Sequence, residues 1–104
     1  MSHEVIEKHP NDEFLHPVDF TDELPDDTSV SSSSAVTAVD SNGDPATSVV
    51  GTVTQSGMSV RCVVQGGVDG EDYLYTFTGR GTTTSRDASK LVELRVRSKQ
   101  LGVL

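Results

Sequence analysis

Gly66-Gly67-Val68-Asp69-Gly70-Glu71-Asp72-Tyr73-Leu74-Tyr75-Thr76-Phe77 is the stretch that decides how the chain folds. Gly66, Gly67 and Gly70 let the backbone turn a tight corner, and the acids beside them keep that corner in water. Tyr73, Tyr75 and Phe77 then occupy alternate positions, the period of a strand with one buried face. Tyr73 stands just past the corner, where its hydroxyl either returns to the loop backbone as a tyrosine corner or simply packs in the core.

Downstream of it, residues 79–84 carry the strand to its end and residues 85–89 turn the chain. Residues 90–97 form a closing strand in which Val92, Leu94 and Val96 alternate with Glu93, Arg95 and Arg97. Upstream, residues 47–55 and 58–65 make a hairpin about Ser56-Gly57. Val60, Cys62 and Val64 share one of its faces, and Arg61, Val63 and Gln65 the other. Ser41-Asn42-Gly43-Asp44-Pro45 reads as a turn, because Asn and Gly accept positive φ and proline cannot donate to a ladder. Residues 28–40 supply one long or two short strands with a bend or sheet switch at residues 31–34, and residues 16–21 a short first strand. About seven strands with regularly spaced turns predict an all-β, immunoglobulin-like β-sandwich. With 1 Cys and no Trp, it must hold without a disulfide or the core tryptophan of antibody domains.

The 104 residues, 34% of them hydrophobic, leave room for one thin core. Eight Lys+Arg against sixteen Asp+Glu give a formal net charge of -8. Phosphate backbones and acidic membrane surfaces attract clustered cations, so neither direct nucleic acid binding nor a membrane partner is expected. No apolar run approaches the roughly 20 residues of a membrane-spanning helix, and residues 1–8 lack the basic-then-apolar order of an export signal. Charge is also uneven. Residues 1–72 hold two basic residues against fourteen acids, and residues 73–104 hold six against two, so the two ends attract.

Residues 1–27 read as an extended acidic N-terminal arm, residues 28–98 as the sandwich and residues 99–104 as a short tail. Pro10, Pro17 and Pro25 interrupt any helix, and acids cluster at Asp12-Glu13, Asp22-Glu23 and Asp26-Asp27. The arm nevertheless keeps spaced apolar side chains for which a tail without a partner has little use. Val5, Ile6, Phe14, Leu15, Val18 and Phe20 are therefore the expected partner-binding residues. Gly66, Gly67, Gly70, Tyr73, Tyr75 and Phe77 are expected to serve the structure.

No pattern supports catalysis. His3, His9 and His16 are scattered along the arm and expected to be solvated rather than to hold zinc. Cys62 falls on the apolar face as a buried thiol, and alternation turns the neighbouring Arg61 away from it. Residues 40–44 lack the frame of a calcium loop, and the glycine segments lack the helix and lysine of a phosphate loop. Paired acids lie where nothing buries them. No catalytic residue, metal or cofactor is expected.

Glu7-Lys8-His9-Pro10-Asn11-Asp12-Glu13-Phe14-Leu15, ahead of Val18-Asp19-Phe20 and then Leu24-Pro25 with Asp27-Thr28-Ser29-Val30-Ser31, resembles the start of small acidic immunoglobulin-like structural proteins of tailed phages and prophages. The likeness continues through Val64-Gln65-Gly66-Gly67-Val68-Asp69-Gly70-Glu71-Asp72-Tyr73, Thr76, Thr78 and the closing strand at residues 91–97. Phe20 stands where those proteins often carry Trp. The resemblance implies a non-enzymatic virion protein, assembled in the host cytoplasm, whose arm docks on the major capsid protein or neighbouring virion subunits. Capsid decoration is the first expectation, and a neck or tail accessory subunit at the head-tail junction the alternative. An adhesion or carbohydrate-binding module is a third class, disfavoured by an aromatic content of 5%. Edge pairing of the closing strand would give a homo-oligomer. Deleting residues 1–20 is expected to leave the sandwich folded.

Overall fold

The computed structural model describes residues 4–98. Seven strands follow one another: β1 (Glu4–Lys8), β2 (Phe14–Asp19), β3 (Ala35–Val39), β4 (Val50–Ser56), β5 (Ser59–Val64), β6 (Asp72–Arg80) and β7 (Asp87–Val96). They form two sheets, ordered β1-β7-β6-β3 and β2-β5-β4. Six of the seven strands take the places of an immunoglobulin sandwich: a three-stranded sheet of the second, fourth and fifth strands against a sheet of the third, sixth and seventh. β1 joins the latter sheet by pairing parallel to β7, with Glu4 opposite Val92 and Lys8 opposite Val96.

Alternation builds the core. Val60, Cys62 and Val64 of β5 and Tyr73, Tyr75 and Phe77 of β6 point inward from facing sheets, and Val92, Leu94 and Val96 of β7 join them, all buried. Tyr75 ties the two layers together, its hydroxyl donating to the Val49 carbonyl at 2.5 Å. Burial pushes the Tyr75 phenol and the Cys62 thiol up from their ordinary values. Cys62 is a free, buried thiol.

At the glycine corner, Gly66, Gly67 and Gly70 all have positive φ. Gly67 is the most constrained, since at φ +93° an added Cβ would also lie 2.8 Å from Cγ2 of Val96. Of the two readings of Tyr73, the tyrosine corner is the one formed. Its hydroxyl accepts the Val68 amide at 3.0 Å, five residues upstream. The corner is held against the end of β7 by Gly70 N–H to the Val96 carbonyl, and by Asp69, which accepts the amide and hydroxyl of Ser98.

Residues 1–27 differ most from expectation. β1 and β2 lie in the two sheets, and Val18 and Phe20 are buried with Leu24 in the core. Once β5 and β7 exist, their open edges offer ladder partners to the N-terminal segment, and its apolar residues have a core to enter. The strand predicted at residues 16–21 is β2, found two residues earlier at Phe14–Asp19. Residues 20–34 cross from one sheet to the other, forming an isolated bridge between Val30 and Gly81 on the way. Asp27 anchors this crossing, accepting the Thr83 and Thr84 amides at 2.8 and 3.0 Å and the Thr84 hydroxyl at 2.7 Å. Gly81 makes room for it, because a Cβ there would overlap the Asp27 carboxylate. The tail expected at residues 99–104 lies outside the described residues, as does His3.

Candidate functional site

The six apolar residues expected to bind a partner are separated by the pleat. Val18 and Phe20 are core, with the Phe20 ring lying over Gly79, where a Cβ would stand 2.8 Å from it. Ile6 and Phe14 are half-buried against that core. Val5 and Leu15 remain exposed, at 46% and 50%. They do not share a patch. Val5 pairs with Glu93 on the outer face of the four-stranded sheet, whereas Leu15 pairs with Val63 on the outer face of the three-stranded one. His16 also departs from the expectation of a solvated side chain. It points inward from β2, stacks edge-on to Phe77 with centroids 6.1 Å apart, and meets Glu4 of β1 at 3.1 Å, bridging the two sheets at their open side.

The outer face of the four-stranded sheet carries charge at its ends. Register aligns Glu7, Arg95 and Asp72 at one end and sets Arg80 beside Asp87 at the other. Between them lie Leu74, Thr76, Thr78, Ser89 and Leu91, with Glu93 next to Arg95. An apolar groove of about 380 Å³ opens where the edges of β3 and β4 part, lined by Val36, Ala38, Val39, Pro45, Thr47 and Val50 among others. The β3 edge is partly closed there, since Ala46 N–H donates to the Ala38 carbonyl.

The outer face of the three-stranded sheet is built differently. Arg61 occupies its middle, opposite Pro17 of β2 and Thr54 of β4. Leu15 and Val63 lie on one side of it, and Asp19, Ser59 and Ser56 on the other. The Asp19 carboxylate is taken up by the amide and hydroxyl of Thr21, which hold its pKa below the usual range. The Arg61 Nε is buried and, among the described residues, has no hydrogen-bond partner.

Most other cations on the described residues are engaged. Lys90 bonds Glu23 and the Asp19 carbonyl, Arg95 bonds Glu93, Arg97 bonds Asp72, Arg80 meets Asp87, and Lys8 donates to the His9 and Pro10 carbonyls. Burial lowers the Lys8 pKa despite the opposing field of Asp12. Arg86 is exposed and adds its charge to the field at Asp27. Sequence reasoning placed Arg61 on the face away from Cys62 but gave it no role. Alternation fixes that face, whereas the lack of an acceptor depends on what β2 and β4 bring alongside.

Among the described residues, no three His, Cys, Asp or Glu side chains come together as metal ligands would. The molecule is thus an immunoglobulin-like β-sandwich whose outward resources are two sheet faces and the strand edges between them. Over residues 8–97 the sequence matches the family described as podophage GP4 fiber-tail adaptor protein gp77. The chain belongs to that family, and it is a structural component of the phage virion. Comparison with curated proteins finds no match, and comparison with solved structures finds none.

Proposed function

We propose that the chain is a non-enzymatic adaptor subunit on the tail side of a podophage particle, where it joins neighbouring virion subunits such as tail and fibre components. The observation that carries this reading is the family match, which runs from the last residue of β1 to just beyond β7 and so takes in nearly the whole sandwich. It favours the neck or tail alternative over shell decoration, and fibre or tail subunits over the major capsid protein as partners. The fold suits the task. Two sheets locked by a dry core form a stiff spacer with two separate faces, able to hold one subunit on each. Symmetric repetition then gives avidity without tight single contacts.

Copy number in purified particles, by quantitative mass spectrometry against a capsid-subunit standard, tests the reading. A ring at a tail junction requires about six to twelve copies, set by its rotational symmetry. Hundreds of copies would return the protein to the shell, and absence from the particle would overturn the structural reading.

A further inference from the structure

We propose that the outer face of the three-stranded sheet is a docking surface for another virion subunit, and that Arg61 is its anchor, receiving a single partner carboxylate set among apolar side chains. The inference rests on the adaptor reading and adds to it a face and the chemistry of the group that meets it. It starts from an imbalance. The chain carries sixteen acids against eight Lys+Arg, so an arginine without an acceptor is not explained by any shortage of carboxylates. Neighbours opposite Arg61 are Pro17 and Thr54, neither of which can accept as a carboxylate does, and the carboxylate nearest in register, Asp19, is already bonded to Thr21.

A guanidinium with a covered, unbonded Nε is costly to keep in a lone domain, because that N–H has lost water without gaining a partner. It becomes favourable when the side chain turns its Nε and a terminal N–H to a docked carboxylate and closes two parallel hydrogen bonds in a site that excludes water. The surround fits that purpose. Leu15, half exposed, and Val63 supply an apolar flank, and Pro17 lacks the N–H that would need an acceptor under a partner. A long acidic stretch would be repelled by a molecule of net charge -8, whereas one carboxylate within apolar neighbours meets Arg61 at short range and escapes most of that repulsion. For the same reason a second copy of this chain is a poorer occupant than a different subunit.

The experiment replaces the gene in the phage and measures copies per purified particle for the wild type, Arg61→Glu, Arg61→Lys and Arg86→Glu, with a thermal melt of each isolated protein. Arg61→Glu is expected to lower incorporation at least about tenfold, as a charge reversal at a desolvated contact does. Arg86→Glu should incorporate as the wild type does. Arg61→Lys places an amine on the face, and carbodiimide treatment of those particles should couple it to an Asp or Glu of a different virion protein.

Normal incorporation of folded Arg61→Glu overturns the proposal. So does coupling of the introduced amine to another copy of this chain, or no coupling in particles that contain the variant. If Arg61→Glu proves unstable in the melt, the Arg61→Lys coupling decides alone. Wild-type protein absent from particles would instead overturn the adaptor reading, an outcome separate from any difference among the variants.

Discussion

Asp27 shows how much one side chain can organise. It lies on the crossing between sheets and accepts three hydrogen bonds from Thr83 and Thr84. The Thr84 hydroxyl does most to hold its carboxyl below the usual range, with help from both amides and the Arg86 charge, against the opposing effect of burial. A carboxyl more acidic in the folded than in the unfolded chain stabilises at pH above the unfolded value of about 4, and its contribution is lost as pH falls through the folded value. Asp27→Asn should therefore melt below the wild type near about pH 7, with the gap closing toward about pH 2. A gap that stays constant over that range would show that the ionised form does not matter. The two hydrogen-bonded tyrosines of β6 offer a graded comparison. Tyr75→Phe takes from the buried Val49 carbonyl its short bond, leaving only the 3.4 Å bond from the Gln65 amide, and should cost about 1–2 kcal/mol in denaturant unfolding, whereas Tyr73→Phe frees the amide of the exposed Val68 and should cost about 1 kcal/mol or less. Equal losses would contradict the difference in enclosure.

At the scale of elements, the N-terminal strands divide in importance. β1 has one neighbour, at the sheet edge, while β2 covers β5 and delivers Val18 and Phe20 to the core. Removing residues 1–9 should leave a folded, less stable sandwich, and removing residues 1–20 should abolish cooperative unfolding by circular dichroism. Retained cooperativity in the longer deletion would restore the idea of a separable arm. The reason this was hard to read is physical. β4–β5 and β6–β7 are antiparallel neighbours joined by short turns, so glycine placement and period-two alternation announce them locally. β1 has only five residues, and its partner is the last strand of the chain. Nothing within Glu4–Lys8 signals a parallel pairing that distant. Pro10, Pro17 and the acid pairs argued for an extended segment, and extended it is, but as sheet. Arg61 was legible to the same degree: its face follows from alternation, its isolation from two other strands.

For the molecule as a whole, the lopsided charge read from the sequence finds a use within the chain. Lys90 on the basic closing strand bonds Glu23, and Arg97 bonds Asp72, so acids from the first two-thirds of the chain are distributed along β7. These exposed pairs are worth little individually and serve mainly to guide segments into place. The parallel pairing of β1 with β7 has a mechanical meaning. Tension entering ahead of Glu4 and leaving beyond Val96 pulls the two strands past each other along their length, so the bonds between them are loaded together and must fail as a group. An antiparallel pair pulled from one end would peel apart one bond after another. The fold can thus carry load through β1 and β7 before its core is disturbed.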